Sequence, residues 1–336
     1  MREPAFWYRP PSWMSRLLAP LGAIYGAVTA RRMAREGASV GIPVLCVGNY
    51  HVGGAGKTPA TLALVKLLRE MGEQPVVVSR GYGGSQQGPV RVDQVSHSVA
   101  DVGDEPLMMA SGVSVIVSRD RVAGAAMARA QGASVVLLDD GFQNPSLAKD
   151  ASLIVIDAVR GVGNGGVFPA GPLRAPLEPQ IARTDALIVI GEGNAADDIS
   201  STLARRGAPV LRARLVPDQA SVDGLRGQRV LAFAGIGDSA RFFATLRASG
   251  VDVIERRPFA DHHRFAVEEI EQLISDARAK SLTLVTTEKD MARIRGDAHL
   301  QGHANGIATF AVTLAFDDGA MLRSFLAGRL AKSRAR

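Results

Sequence analysis

The sequence predicts an α/β protein of two unequal domains, the first holding a glycine-rich loop, with an apolar helix ahead of both. Three observations carry this reading. Short apolar runs that read as buried strands alternate with segments of helical period along most of the chain. One such run, "IPVLCVGN", passes through "YHVGGAG" into the helix-like "KTPATLALVKLLREMG". Residues 6–35 differ from all that follows, since they hold both tryptophans and an uncharged stretch flanked by arginines. At 336 residues the chain is longer than one average domain. The expected boundaries are a membrane-associated helix over 1–36, the loop-bearing domain over 37–205, a linker strand region over 206–225 and a smaller α/β domain over 226–336 that contributes to a cleft.

Composition narrows the class. With 46% hydrophobic and 21% charged residues the chain can bury a core, which excludes global disorder. The net charge of +6 favours an anionic partner: a nucleotide, a phospholipid headgroup or a nucleic acid. Basic residues are scattered and no base-reading module appears, so nucleic acid is not expected, and no obligate protein partner is evident. Cys46 is the only cysteine, which excludes an internal disulfide and a zinc ribbon and suits a reducing compartment. Within an apolar strand it reads as a small core residue.

The first element is the apolar helix. No charge occurs from Leu17 to Ala30. Those residues rise only about 21 Å as a helix, short of the roughly 30 Å of a hydrocarbon core, so the segment should not span a bilayer unaided. Met14, Leu17, Leu18, Leu21, Ile24, Tyr25 and Val28 form one apolar stripe, and Ala19, Gly22, Ala23, Gly26 and Ala27 a small-residue face. Arg9 and Arg16 precede the stripe; Arg31, Arg32 and Arg35 follow it. This is the layout of an amphipathic helix lying in a membrane interface. A helix packed on the body of the protein and a cleaved signal peptide are the alternatives, the second opposed by the nucleotide loop that follows, because ATP is cytoplasmic.

Strand, glycine-rich loop and helix in that order form the phosphate-binding unit of P-loop proteins, so the first domain is expected to be a P-loop NTPase-like α/β/α layer. The loop is His51, Val52, Gly53, Gly54, Ala55, Gly56, Lys57 and Thr58. Backbone N–H groups from Gly53 to Gly56 would cradle phosphates at the helix N-terminus. Lys57 would reach the β and γ oxygens and Thr58 would ligate Mg²⁺. The strict pattern asks for glycine where this chain has His51.

Later elements supply further polar groups. "QPVVVSRGYGGS" reads as a second strand whose end carries Arg80 and Tyr82. In "DVGDEPLMMA", Asp104 opens a helix and is either a cap or a functional acid. "GASVVLLDDGFQN" is a Walker B-like strand ending in Asp139 and Asp140, where a carboxylate can hold Mg²⁺ or its water; "SLIVIDAVRG" ends similarly in Asp157. A Gly- and Pro-rich loop carries Arg174, and the strand "DALIVIGEG" completes the first domain. "PVLRARLVP" reads as a strand or linker, and "RVLAFAGIGDSARFFATLRASG" opens the smaller domain. There "FADHHRF" supplies His262 and His263; with six histidines and one cysteine in all a metal site is not expected, and the reading is an acid–base or orienting histidine at a domain interface, with a capping or buried polar one as the alternative.

Taken in order, the apolar helix, "GNYHVGGAGKTP", "SRGYGG", "GDEP", "LLDDGFQN", "FPAGPLRAP", "FADHHRF" and "TTEKD" resemble the tetraacyldisaccharide 4'-kinase family over nearly the whole chain. The resemblance implies two α/β/α domains joined by a two-stranded linker, with the active site between them. It implies a P-loop kinase at the cytoplasmic face of the bacterial inner membrane that uses ATP and Mg²⁺. The phosphate acceptor is then the 4'-hydroxyl of a tetraacyldisaccharide 1-phosphate lipid A precursor. It further implies that Asp104 and His262 act together in catalysis beside Lys57, that Asp139 and Asp140 serve Mg²⁺, and that Arg80, Tyr82, Arg121 and Arg174 contact phosphates of ATP or of the lipid. One departure is Ala175, where the family often has glutamate after the arginine of its "PLRxP" loop.

Overall fold

The computed structural model describes residues 3–335, so the ends of the expected N-terminal and C-terminal segments lie outside the described residues. Thirteen strands run in chain order: β1 Val44–Gly48, β2 Pro75–Ser79, β3 Val90–Arg91, β4 Ser114–Val117, β5 Val135–Asp139, β6 Ala151–Asp157, β7 Ala186–Ile190, β8 Val210–Pro217, β9 Arg229–Ala234, β10 Asp252–Pro258, β11 Thr283–Thr287, β12 Ala308–Phe310 and β13 Val312–Phe316. They form a nine-stranded sheet ordered β13-β8-β7-β6-β1-β5-β2-β4-β3 and a four-stranded sheet ordered β10-β9-β11-β12.

The interior strands of the large sheet are parallel and all but continuously apolar, as burial on both faces demands. Helices cover each face. Leu64, Val65 and Leu68 of the helix Lys57–Glu70 enter the core on one side; Ala125 and Ala128 of Arg121–Ala130 and Leu203 of Asp197–Arg205 enter it on the other. Cys46 lies fully buried in this core. The chain crosses from one side of β1 to the other between β5 and β6, which leaves a crevice at the carboxyl ends of β1 and β5. Ser79, Asp139 and Asp157 end three of these strands.

The boundary expected near residue 206 moves. β8 pairs in parallel with β7, and β13 returns to pair antiparallel with β8, from Val312 against Pro217 to Phe316 against Ala213. Leu322, Leu326 and Leu330 of the final helix Gly319–Arg334 then join the core of the large sheet. The smaller domain is therefore an insertion over about 219–310, and the last 25 or so residues belong to the first domain rather than to 226–336. Local apolar pattern identifies a strand but not the sheet it joins. β8 and β13 are the two strands that link the domains. In the insertion, Phe242, Phe243 and Leu246 pack on one face of the parallel sheet, and Ile270, Leu273, Met291 and Ile294 on the other.

The apolar helix spans Trp13–Met33 and starts at a capping box in which Ser12 and Ser15 each accept the other's backbone N–H. Ser15, Gly22, Gly26, Thr29 and Met33 are its buried positions. Glycine is required at the contact: a Cβ on Gly22 would lie 2.7 Å from the Val167 carbonyl oxygen. The docked face is narrower than the small-residue face expected, since Ala19, Ala23 and Ala27 are exposed. The large stripe points outward, with Trp13, Leu17 and Ile24 each about two-thirds or more exposed. Trp7 is buried ahead of the helix, donating from Nε1 to the Pro169 carbonyl at 3.1 Å. Among the described residues no helix is long and apolar enough to cross a membrane.

Candidate active site

The glycine-rich loop joins β1 to the helix Lys57–Glu70, and its backbone follows from two left-handed glycines, Gly53 at φ 102° and Gly56 at φ 87°. Asn49 holds the loop by donating from Nδ2 to the Gly53 carbonyl at 3.1 Å, and the Val52 N–H donates to the Pro172 carbonyl at 2.8 Å. His51 fills the position where strict loops carry glycine. It is fully buried, its Nδ1–H donates to the Val52 carbonyl, and burial lowers its pKa to about 4, so the imidazole is neutral. A side chain at Gly54 would meet nothing within 4 Å, so this part of the loop faces open space. The carboxylate of Glu3, which sequence reasoning missed, lies against Gly53 and pairs with Arg160 at 3.3 Å.

The acids expected at the end of β5 have different surroundings. Asp140, in a left-handed conformation at φ 51°, accepts both arms of Arg174 at 2.8 and 3.1 Å and lies 3.6 Å from Nζ of Lys57. Burial works to raise its pKa, but Lys57 and Arg174 outweigh burial and hold it below the usual carboxylate range. Nε of Arg174 reaches the His51 carbonyl at 3.0 Å, which ties Asp140 to the phosphate loop. Asp139 receives the Ser79 hydroxyl at 3.2 Å on one oxygen, while its other oxygen is buried without a protein partner. Burial first, then the charges of Glu105 and Asp140, push its pKa up to about 7. Asp157 caps its own loop through the N–H groups of Val159 and Arg160 and pairs with Arg241 of the smaller domain at 2.8 Å.

Asp104 and His262 come from different domains and meet. Asp104 is the first residue of the helix Asp104–Met109, and its Oδ1 accepts the Glu105 N–H at 2.9 Å. His262, also left-handed at φ 56°, donates from Nδ1 to Asp104 Oδ2 at 2.9 Å. The capping alternative fails, because Asp104 follows the N-cap Gly103 and turns its second oxygen across the cleft. Sequence reasoning missed a third member. Arg293 donates from Nε and Nη2 to the same Oδ2, at 3.0 and 2.5 Å. Burial works to raise the Asp104 pKa, yet His262 and Arg293 together hold it well below the usual range. The hydrogen bond to Asp104 raises the His262 pKa. Beside them Lys289 pairs with Glu105, again across the cleft.

One cavity of about 2000 Å³ joins these groups, lined by the phosphate loop, Asp104, Asp139, His262 and Arg241, and reaching Tyr25 and Thr29 of the apolar helix. Arg80 and Tyr82 stand on its rim, with Tyr82 largely exposed and edge-on to His262 at 6.3 Å between ring centres. Arg121 lines the cavity but is buried, donating to the Ser118 and Arg119 carbonyls. His263 faces away, bonded to Glu269 at 2.8 Å and packed against Phe259.

With this geometry in place, comparison with known proteins is decisive. The family model for tetraacyldisaccharide-1-P 4'-kinase matches residues 14–331. The chain belongs to the tetraacyldisaccharide-1-P 4'-kinase family. A tetraacyldisaccharide 4'-kinase of Bradyrhizobium diazoefficiens is 66% identical over 336 residues, covering all of this chain and 98% of its own. That of Nitrobacter winogradskyi is 64% identical over 334 residues, 99% of each chain. The crystal structure of LpxK from Aquifex aeolicus in complex with ATP superposes with a TM-score of 0.72 at 24% identity, covering 94% of this chain and 99% of that one, and so shares its fold. The protein is thus a kinase of lipid A synthesis that moves the γ-phosphate of ATP to the 4'-hydroxyl of tetraacyldisaccharide 1-phosphate.

The raised pKa of Asp139 has a consequence for stability. Its folded-state value lies above the unfolded one, so folding favours the protonated acid, and this contribution is lost as pH rises from the ordinary carboxylate range to about 7. Asp139→Asn removes the buried charge. It is expected to raise the melting temperature of the ATP-free protein at pH 8 by about 2–4 °C for each kcal/mol relieved, and to change little near pH 4. A lower melting temperature at pH 8 would show that Asp139 is stabilised as a carboxylate.

Proposed function

We propose that the cleft performs this transfer with the acceptor hydroxyl on Asp104 and the nucleotide on the phosphate loop. The observation that carries the reading is the meeting of Asp104 and His262, from separate domains, inside the cavity that the phosphate loop lines. A sugar hydroxyl is a poor nucleophile at neutral pH and needs an acceptor for its proton as the P–O bond forms. Asp104 Oδ2 is taken up by His262 and Arg293, whereas Oδ1 carries only the Glu105 N–H and keeps a lone pair for the hydroxyl. A carboxylate held this acidic is a weak base. Proton transfer then lags behind bond formation, as a loose phosphoryl transition state permits. His262 orients Asp104, and Lys57 neutralises charge on the β and γ oxygens.

The chain's donors fit Mg²⁺. Magnesium is usually held by one or two carboxylates with phosphates and water rather than by an all-protein cage. Among the described residues no cluster of three or more His, Cys, Asp or Glu side chains is placed to hold a metal, while Asp139 offers a buried oxygen without a partner. Thr58, Asp139 and Asp140 would hold the ion, and Asp157 is set aside by its pairing with Arg241. Bound there, Mg²⁺ would neutralise charge on the phosphate oxygens. Arg80 and Tyr82, at the rim, would contact phosphates of ATP or of the lipid; Arg174 and Arg121 would add positive charge from fixed positions on the protein.

The exposed stripe of the apolar helix would lie in the cytoplasmic face of the inner membrane, with Arg16, Arg31, Arg32 and Arg35 on anionic headgroups. Tyr25 and Thr29 of that helix line the active-site cavity, so a headgroup has a continuous path from the bilayer to Asp104.

Transfer from γ-labelled ATP to tetraacyldisaccharide 1-phosphate in detergent micelles tests the site. Lys57→Ala is expected to lose transfer, and Asp104→Asn to lower kcat roughly 10²- to 10⁴-fold while ATP still binds. Asp104→Asn enzyme running at the wild-type rate would remove Asp104 from the reaction. For the membrane, Leu21→Glu with Ile24→Glu removes two exposed apolar side chains worth about 1.5–3 kcal/mol each when buried. Flotation with anionic vesicles should fall more than about tenfold; unchanged flotation would place the binding surface elsewhere.

A further inference from the structure

The strand-to-helix segment "TTEKDMARIR" contributes charges that meet the acids of the other domain across the cleft. Its helix, Glu288–Arg295, presents Lys289 to Glu105 and Arg293 to Asp104, both across the domain boundary. Arg293 is buried, and every arm of its guanidinium is committed. Nε and Nη2 go to Asp104 Oδ2, Nη1 to the Gly235 carbonyl at 2.7 Å and to Asp290 Oδ1 at 2.6 Å. Asp290 is fully buried and is itself fixed, accepting the Gly235 N–H at 3.0 Å and the Thr287 hydroxyl at 2.8 Å. The Gly235 carbonyl also accepts the backbone N–H of His262 at 3.1 Å. Both side chains that bond Asp104 Oδ2 therefore hang from one peptide group just past the end of β9. A Cβ at Gly235 would press on Asp290 and His263 at 3.1 Å each, so the position is kept closely packed.

We propose that Arg293 is a positioning residue for the phosphoryl acceptor, fixing the orientation of the Asp104 carboxylate and keeping it ionised so that Oδ1 faces the sugar hydroxyl. This rests on the reading of Asp104 as the group that receives that hydroxyl. A buried guanidinium with a rigid fork suits the task in a way that a mobile ammonium does not, because the two N–H groups define the direction as well as the charge. The groups around Asp104 are Glu105 on its own helix, Lys289 and Arg293 from the helix opposite and His262 from the loop after β10, with Asp290 bonded to Arg293 and Asp261 beside His262. Of the cations, Lys289 is occupied by Glu105 and His262 loses its charge as pH rises, which leaves Arg293 as the permanent positive partner. Removing it raises the carboxylate's pKa, because a close opposite charge is lost.

The experiment is a kinetic cycle on the full-length enzyme with ATP and tetraacyldisaccharide 1-phosphate, using Arg293→Gln, Arg293→Lys, Asp104→Asn and the Arg293→Gln/Asp104→Asn pair. Arg293→Gln should lower kcat between about tenfold and a hundredfold with the KM for ATP unchanged, as displaced catalytic geometry does. The acidic limb that Asp104 contributes to its kcat–pH profile should move up toward the usual carboxylate range. Arg293→Lys should leave that limb in place while kcat still falls, since a point charge lacks the fork. The double variant should match Asp104→Asn alone, because Arg293 acts through Asp104. A folded Arg293→Gln enzyme with wild-type kcat and an unmoved limb would overturn the proposal, and so would a double variant whose losses multiply. If Arg293→Gln does not fold, Arg293→Lys decides: full kcat there would overturn the positioning role. Failure of the mechanism itself reads differently, as wild-type turnover in Asp104→Asn.

Discussion

The candidate site depends on a carboxylate of one domain being held by hydrogen-bond donors of the other. Asp104 belongs to the large sheet's domain, and the groups that orient it, His262 and Arg293, belong to the insertion. Neither half is a site alone. The large domain supplies the phosphate loop, Lys57 and the acids at the end of β5; the insertion supplies the partners without which Asp104 would be a buried, unpaired charge. Topology makes the meeting possible. The insertion leaves the large sheet through β8 and returns through β13, so two adjacent antiparallel strands fix where the smaller domain stands. Arg241 on Asp157 and Lys289 on Glu105 add further cross-domain pairs around the same cavity.

Neighbouring acids of the cleft are treated in opposite ways. Asp104 is kept ionised by paired cations, and Asp140 by Lys57 and Arg174. Asp139, one residue from Asp140 and buried with only a serine hydroxyl for company, is pushed the other way. An acid in that condition gains most from a cation arriving with the nucleotide, and Asp140, already paired with Lys57 and Arg174, gains less.

What the sequence disclosed follows from how far apart the interacting residues lie along the chain. The phosphate loop is local: strand, glycines and helix sit within thirty residues, and the structure builds them as one unit. The same holds for the acids ending β5 and for the apolar stripe of the first helix. The contact of Arg293 with Asp104 spans 189 positions, and no local pattern points to it. The charged run of "TTEKD" after an apolar strand names no partner in the other domain. The domain boundary failed for a related reason. β13 follows β12 almost without a break, yet the two belong to different sheets, a choice made by tertiary pairing. On the first helix, the stripe is legible from its period, while its facing outward is set by what the rest of the helix packs against. The narrowing of its docked face to Gly22 and Gly26 depends on a loop about 140 residues downstream.

The most direct test of the account is a crystal structure of the enzyme with a non-hydrolysable ATP analogue and tetraacyldisaccharide 1-phosphate both bound. The 4'-oxygen is expected within hydrogen-bond distance of Asp104 Oδ1 and in line with the terminal phosphate on the loop from Gly53 to Lys57, with His262 and Arg293 still on Oδ2. A 4'-oxygen resting on Asp139 or Asp140, with Asp104 away from the sugar, would contradict it.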